Sequence, residues 1–203
     1  MNNDEALHAN YNHIVPLIEN GAKVLDLGCG DGTLLKKLID EKNVHGKGIE
    51  INQENVIEAL HKGLSIIQGD IDEGLEDFAD NEMDYVILNQ TLQSTQNPDF
   101  VIKEMLRVGK HAVVSFPNFA YWRIRFYLLF KGKMPKSTML PFEWYDTPNI
   151  HLLTVRDFFD YCEKRDIKIS KSILTRRGKV VKSRLRRTFA DIFAEEVIFV
   201  IHK

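Results

Sequence analysis

The chain has 203 residues, of which 44% are hydrophobic and 28% are charged, and its formal net charge at pH 7 is −2. These values are typical of a globular protein large enough to bury a core, and the near-neutral charge argues against nucleic acid or a membrane surface as a partner. The two cysteines, Cys29 and Cys162, are too few for a disulfide scaffold and fit a reducing cytoplasm. The sequence contains no signal-peptide pattern and no apolar run of membrane-spanning length. We therefore expect a single cytoplasmic domain over residues 1–203.

Strand-like and helix-like segments alternate through the first half of the sequence. Short apolar runs predict strands at Lys23–Leu27, His45–Glu50, Leu64–Gln68, Asp84–Leu88 and His111–Phe116. Apolar residues at helical spacing predict helices at Thr33–Glu41, Gln53–Lys62 and from Pro98 onward, where Asn97 supplies the N-cap. This order predicts an α/β protein whose mostly parallel sheet has helices on both faces and binds ligands at the carboxyl ends of its strands.

The later part of the sequence predicts one helix, two strands and a long insertion. The helix begins at a capping-box pattern formed by Thr154 and Asp157. The strands cover Ile167–Leu174 and Glu196–His202, which brings the sheet to seven strands. The segment at about 119–150 is too long for a plain connector and is predicted to be an inserted lid or partner-binding segment.

The first predicted strand leads into a turn with three closely spaced glycines, Gly28, Gly30 and Gly32. Glu50 ends the next strand, twenty positions after Gly30. Glycines let a ligand approach the backbone, the N-terminus of the following helix attracts negative charge, and an acid at this distance binds ribose hydroxyls. The pattern therefore predicts a site for a nucleotide-like ligand. The alternatives are a turn that only packs helix on strand, and a dinucleotide site, for which the glycine spacing is too tight.

Residues 24–32, VLDLGCGDG, resemble the first motif of class I S-adenosylmethionine-dependent methyltransferases. The resemblance implies a Rossmann-like fold with an antiparallel terminal strand, and a bound S-adenosylmethionine or S-adenosylhomocysteine. It also implies that the glycine turn passes beneath the methionine part of the ligand, that Asp26 lies near its amino group and that Glu50 holds the ribose. Asp70 would approach the adenine amino group, with apolar contacts to the adenine from the residues that follow the two acids. The implied cofactor-binding residues are Asp26, Gly28, Cys29, Gly30, Gly32, Glu50, Ile51, Asp70, Ile71 and Asn89.

Further stretches resemble a narrower family, the methionine-biosynthesis protein MetW family. They are residues 24–32 (VLDLGCGDG), 85–93 (YVILNQTLQ), 106–118 (LRVGKHAVVSFPN) and, most distinctively, 142–152 (FEWYDTPNIHL). This resemblance implies a role in methionine synthesis together with a homoserine O-acyltransferase, whose activity the protein would support. A pocket for S-adenosylmethionine on such an accessory subunit would sense methionine supply. The alternative is a methyltransferase that acts on an unidentified small molecule.

Two side chains, His151 and Asn89, are candidates for methyl-transfer chemistry. His151 is the better general base because histidine exchanges protons near neutral pH, although a structural histidine bound to a backbone carbonyl is the simpler interpretation. Asn89 would either orient an acceptor or cap the end of its strand. The acidic-Pro-Pro-aromatic motif of amino-methylating enzymes is absent after the fourth strand, which disfavours transfer to an amide or adenine nitrogen. The histidines lack metal-ligand spacing, so no metal site is predicted.

The insertion begins with an aromatic-rich stretch at residues 119–130. Its helical spacing predicts packing for Trp122 and Phe126. Aromatic and arginine side chains are favoured at interfaces, so a partner surface is predicted for Tyr121, Arg123, Arg125 and Tyr127.

A basic run follows at residues 176–187, with seven basic side chains among twelve residues. A solvated loop is the leading interpretation. An acidic partner surface is the second. Nucleic acid is the third, because no aromatic residues interleave the run.

Overall fold

The computed structural model describes residues 10–137, 140–181 and 192–203, and within these ranges eight strands form one sheet. The strands are β1 Lys23–Leu27, β2 His45–Glu50, β3 Ile66–Gln68, β4 Met83–Asn89, β5 Gly109–Pro117, β6 Lys168–Arg176, β7 Lys179–Val180 and β8 Glu196–His202. The helices that flank them are α1 Thr33–Lys42, α2 Gln53–His61, α3 Pro98–Val108, α4 Trp122–Lys131 and α5 Val155–Lys164. The predicted α/β fold is confirmed, with element boundaries that shift by a few residues.

The strand order is β3-β2-β1-β4-β5-β8-β6-β7. Strands β1 to β5 pair in parallel, whereas β8 runs antiparallel to both β5 and β6. The chain therefore leaves β1 towards β2 on one side and returns to β4 on the other. Such a reversal of strand order opens a crevice at the carboxyl ends of the strands, where ligands bind in folds of this type.

The sheet has one strand more than the seven predicted. Lys179 pairs with Arg176 in a short antiparallel hairpin that forms the outer edge of the sheet. The two linking residues, Arg177 and Gly178, have φ values of +49° and +70°, which suits a two-residue hairpin turn. The prediction missed this strand because it is only two residues long and lies in a basic run without the usual Asn-Gly signal.

Both faces of the sheet are buried, as expected for a parallel sheet covered by helices. Alternate residues of β4 illustrate this arrangement, because Val86 packs into one apolar cluster and Ile87 into the other. Helix α5 covers the first cluster with Phe158, and its Thr154–Asp157 capping box is present as predicted. Within the described ranges, no helix is long and apolar enough to cross a membrane.

The insertion after β5 contains α4 and a mostly irregular return to Thr154. Tyr121, Ile124 and Leu140 form a small apolar cluster that fixes the start of this segment. The remainder of α4 is exposed, including Leu129 and Phe130, which are 72% and 73% exposed. The helix is therefore anchored at one end and presents most of its length outward.

Gly32, at the start of α1, is required for two separate reasons. Its φ is +75°, and an added Cβ would lie 2.2 Å from the Leu64 side chain and 3.1 Å from that of Ala59. Gly21 has a similar φ of +73° but nothing within 4 Å of its Cβ position. Comparing the same substitution at Gly21 and at Gly32 therefore separates the effect of backbone strain from the effect of crowding.

We expect Gly21→Ala to lower the free energy of unfolding by about 1 kcal/mol through backbone strain alone. Gly32→Ala should lower it by a further ~1–3 kcal/mol, because the methyl group would push α1 away from α2 and the Leu64 segment. Urea denaturation of both variants measures the difference. Equal losses would contradict the packing of α1 described here.

Candidate functional site

A cavity of about 330 Å³ lies in the crevice at the carboxyl ends of β1 to β4. Five of the predicted cofactor-binding residues line it, namely Gly28, Glu50, Ile51, Asp70 and Ile71. Polar side chains from the loop after β4 complete the wall, namely Gln90, Thr91, Ser94, Thr95 and Gln96. The structure thus brings together the glycine turn and two of the predicted acids, as their positions at the strand ends require.

The glycine turn is tied to the end of β2. Gly28, Gly30 and Gly32 all have positive φ values, of +64°, +55° and +75°. The backbone N–H groups of Gly28 and Cys29 both donate to the Ile49 carbonyl oxygen, at 2.8 and 3.1 Å. An added Cβ at Gly30 would meet nothing within 4 Å, so no other side chain covers the backbone there.

Glu50 is the central acid of the cavity. Its Oε2 accepts the Gly30 N–H at 2.8 Å, and its Oε1 accepts the Asn52 N–H at 2.8 Å. Each carboxylate oxygen can accept a second hydrogen bond, so both remain available to ligand hydroxyls. The side chain is only 7% exposed and is held in one orientation before any ligand arrives. This arrangement suits a ribose diol, and it also fastens the glycine turn to β2.

Asp26 lies beneath the turn, on β1, and is 2% exposed. Burial, together with the nearby charge of Glu50, raises its pKa to about 7. Asp26 is not among the residues that line the cavity, and a cationic group brought close to it would favour its ionised form. The resemblance implies that the amino group of the ligand lies near Asp26, and this group would be such a cation.

Asp70 borders the cavity at the end of the β3 segment, and its Oδ1 accepts the Asp72 N–H at 2.9 Å. Asp72 in turn accepts the backbone N–H groups of Gln96 and Asn97, at 2.8 Å each. These bonds join the loops after β3 and β4 across the cavity mouth. Ile71 is buried, whereas Ile51 is 63% exposed at the rim, so apolar surface is present on two sides of the adenine position that the resemblance implies.

Three predicted cofactor residues, Cys29, Gly30 and Gly32, belong to the turn without lining the cavity. The Cys29 thiol is buried beside Gly48, and burial, with a further contribution from the charge of Asp26, raises its pKa far above the usual value. The thiol is therefore neutral at physiological pH and is not an activated nucleophile. Cys29 is therefore a small buried residue that packs the turn against β2 at Gly48.

The two predicted catalytic residues do not line the cavity. The Asn89 side-chain oxygen accepts the Ser115 hydroxyl at 2.5 Å, and its backbone oxygen accepts the Thr91 hydroxyl at 3.0 Å. His151 has an exposed side chain, and its backbone N–H donates to Gln93 at 2.9 Å. The Asn89 side chain is therefore bonded to the Ser115 side chain on the neighbouring strand rather than directed into the cavity, and the exposed His151 side chain does not line the cavity either.

A hydrogen-bonded cluster that the sequence analysis missed lies next to the cavity. The Gln90 amide donates to the carboxylate of Glu196, which also accepts the Asn10 amide and, at 3.1 Å, the Thr175 hydroxyl. Glu196 is 4% exposed, and burial raises its pKa to about 7. A glutamate at the start of an apolar strand looks like a solvent-exposed strand end. Only the antiparallel direction of β8 would have indicated that it lies at the ligand-binding edge of the sheet.

Two of the predictions for the aromatic stretch at residues 119–130 are wrong. Tyr121 is 3% exposed and packs in the cluster with Ile124, so its assignment to a partner surface is wrong. Phe126 is 50% exposed, so its predicted burial is also wrong, whereas Trp122 packs against the cluster as expected. Arg123 and Tyr127 are exposed, as a partner surface requires.

The basic run begins at the end of β6. Its first members, Arg176, Arg177 and Lys179, form the β6–β7 hairpin, and residues 182–187 lie outside the described ranges. Within the described residues, no group of three His, Cys, Asp or Glu side chains is arranged to hold a metal ion.

The sequence matches the family described as methionine biosynthesis protein MetW over residues 8–201. The chain belongs to the MetW family. The bifunctional methionine biosynthesis protein MetXA/MetW of Rhodopirellula baltica is 37% identical to it over 179 residues. That match covers 84% of this chain but 29% of the relative, so the chain spans less than a third of the relative's length. The family resemblance found in the sequence is therefore confirmed.

Solved structures of several methyltransferases have the same fold. One from Thermotoga maritima has a TM-score of 0.67 at 15% identity, covering 98% of this chain and 90% of its own. The magnesium protoporphyrin IX methyltransferase of Synechocystis, solved with bound S-adenosylhomocysteine, has a TM-score of 0.65 at 14% identity, covering 96% and 83%. At these identities the comparison shows the fold alone, and it confirms the predicted Rossmann-like methyltransferase fold.

The raised pKa of Asp26 predicts a pH-dependent cost to folding. The unfolded carboxyl ionises near its usual pKa of 3.8, whereas the folded one ionises near 7. The unfolded state therefore loses its proton first, and stability falls as the pH rises between these values. Asp26→Asn cannot ionise, so from pH 5 to pH 8 it should gain about 3 kcal/mol in free energy of unfolding relative to the unmodified protein.

Urea denaturation across this pH range measures the effect. The matched control is Asp40→Asn, which removes an exposed carboxylate paired with Lys36 on α1. The control should follow the unmodified protein at every pH. A stability difference for Asp26→Asn that stays constant with pH would contradict the burial of an uncompensated acid at this position.

Proposed function

We propose that this MetW protein binds S-adenosylmethionine or S-adenosylhomocysteine in the 330 Å³ cavity and, through that ligand, controls a homoserine O-acyltransferase of methionine synthesis. The observation that carries the ligand assignment is the Glu50 carboxylate, fixed by two backbone N–H groups at the end of β2 with both oxygens still able to accept hydroxyls. Asp26 and Asp70 add acids where an ammonium and an adenine amino group would lie. Ile51 and Ile71 add apolar surface.

The chemistry of the cavity fits this ligand better than a dinucleotide. A sulfonium and an ammonium are cations, and the acids Asp26 and Glu50 favour cations over the anionic pyrophosphate of a dinucleotide. Lys62, whose amine reaches the turn, is already bound to Asp31 and Thr33. The bound ligand would supply an adenosyl group to be recognised and, in the methylated form, a transferable methyl group.

Among the described residues, the two side chains predicted to carry out methyl transfer lie outside the cavity, which supports a regulatory role over methyl transfer. Neither His151 nor the Asn89 side chain lines the cavity, and the polar residues from the loop after β4 are amides and hydroxyls. These groups bind and orient a ligand but do not remove a proton near neutral pH. Methyl transfer to an unidentified small molecule is the second candidate, favoured by a larger cavity that meets the first at the Gln90–Glu196 hydrogen bond.

The partner assignment is supported by the relative from Rhodopirellula baltica, whose name joins MetXA and MetW in one chain. Fusion of two proteins is favourable when they work in contact, because the linker raises their effective concentration. The exposed apolar face of α4 is the surface on this chain best suited to such a contact. It includes Leu129 and Phe130, and exposed apolar surface of this kind is typical of interaction sites.

Replacing the central acid tests the ligand assignment. Glu50→Gln should weaken S-adenosylhomocysteine binding by at least ~10-fold, because neutral amide hydrogen bonds to the ribose replace charge-assisted ones. Isothermal titration calorimetry measures this with Glu54→Gln, an exposed residue of α2, as the control that should bind normally. Unchanged affinity in Glu50→Gln, or no binding by the unmodified protein, would contradict the proposal.

A double substitution on α4 tests the partner surface. Leu129→Asp with Phe130→Asp should weaken the complex with the acyltransferase by at least ~10-fold, because charges replace the apolar contact. The matched control is Ile57→Asp with Leu60→Asp, two exposed apolar residues of α2. Co-purification and acyltransferase assays with and without S-adenosylmethionine provide the measurement.

The α4 variant should keep normal affinity for S-adenosylhomocysteine, which separates a lost interface from a misfolded protein. If both pairs weaken the complex equally, or neither does, then α4 is not the docking surface.

A further inference from the structure

The larger cavity has a volume of about 740 Å³ and lies on the far side of the Gln90–Glu196 hydrogen bond from the site described above. Helix α4, the adjoining residues 135–137 and the β6–β7 hairpin form its walls. Its floor lies where β5 ends and β8 begins, at Pro117 and Glu196, which pair across the sheet. This volume is in the range of small-molecule sites.

The floor carries a buried acid, Glu196, which is 4% exposed. Among the described residues its carboxylate accepts hydrogen bonds from three neutral side chains, Asn10, Gln90 and Thr175, and forms no ion pair. Burying an unpaired carboxylate is unfavourable, and a cation brought to it is favoured in the low-dielectric interior. Glu196 is therefore the place in this cavity where an ammonium group gains most.

The walls and the mouth have a different character from the floor. Trp122 and Phe130 contribute aromatic surface to the walls. The exposed basic residues Arg123, Lys131 and Arg177 also line the cavity, with Glu195, whose carboxylate accepts the Arg177 backbone N–H at 2.8 Å, and Lys136, which is paired with Glu143. The basic side chains outnumber this one acid. A ligand that reaches from floor to mouth therefore meets negative charge first, then apolar surface, then positive charge. A second cation at its outer end would be repelled.

We infer that the 740 Å³ cavity binds a primary amine with an apolar body and an anionic or neutral outer end, its ammonium group paired with Glu196. The amine binds in its protonated, ammonium form. No covalent bond forms or breaks. This site is separate from the adenosyl cavity and does not require that cavity to be filled. The protein would then bind a second small molecule in addition to the adenosyl ligand.

Three probes of equal chain length test the assignment on the full chain. They are 6-aminohexanoate, its N-acetyl derivative and 1,6-diaminohexane, each measured by ligand-observed NMR and calorimetry up to millimolar concentration. The first should bind at least ~10-fold more tightly than the other two, because the acetyl group removes the cation and the diamine adds a second one at the mouth. Saturating S-adenosylhomocysteine should not displace it.

Two variants identify the residues responsible. Glu196→Gln should reduce binding of 6-aminohexanoate at least ~10-fold, with Glu58→Gln on α2 as an unaffected control. Arg123→Glu, at an exposed position, should narrow the preference for 6-aminohexanoate over 1,6-diaminohexane at least ~3-fold, because Lys131 and Arg177 remain at the opening. Arg156→Glu, exposed on α5, is its control.

The inference is overturned if no probe binds, if the acetylated probe binds as well as the free amine, or if Arg123→Glu leaves the ratio of affinities for 6-aminohexanoate and 1,6-diaminohexane unchanged. Because these measurements do not involve the adenosyl cavity, failure here and failure of the proposed function are distinguishable.

Discussion

The ligand site depends on one carboxylate that serves the fold and the ligand together. Glu50 accepts hydrogen bonds from the backbone N–H groups of Gly30 and Asn52. These residues belong to the loops after β1 and β2, whose relative position the site depends on. The glycine turn cannot move without breaking a charge-assisted hydrogen bond, so the surface presented to a ligand is formed in advance. The remaining acceptor capacity of the same two oxygens points to a diol as the group recognised.

Three buried acids lie at one edge of the sheet. Asp26, Glu50 and Glu196 are all less than 10% exposed, and two of them have a raised pKa because of burial. An edge of this kind is unfavourable in the empty protein and favours cationic ligands. Destabilised acids at a binding edge are typical of proteins whose ligand contributes to the folded state.

Much of this arrangement was predictable from the sequence. The alternation of apolar runs and amphipathic segments predicted the parallel sheet, and the strand ends placed Gly28, Glu50 and Asp70 at one crevice. The N-cap at Asn97 and the capping box at Thr154 could be predicted because they depend only on local hydrogen bonds.

What could not be predicted depends on contacts between distant segments. Glu196 joins Asn10, Gln90 and Thr175 only because β8 inserts antiparallel between β5 and β6. The predictions for Tyr121 and Phe126 failed because helical spacing shows which residues share a face but not which face is covered. Leu140, nineteen positions after Tyr121, helps to decide which residues at the start of α4 are buried.

The most direct test of the account is a crystal structure of the protein soaked or co-crystallised with S-adenosylhomocysteine. The account predicts the adenosyl group in the cavity between the glycine turn and the loop after β4, with both ribose hydroxyls within hydrogen-bonding distance of Glu50 and the Gly30 and Asn52 bonds intact. A ligand bound elsewhere, or a Glu50 side chain that turns away from the ribose, would contradict it.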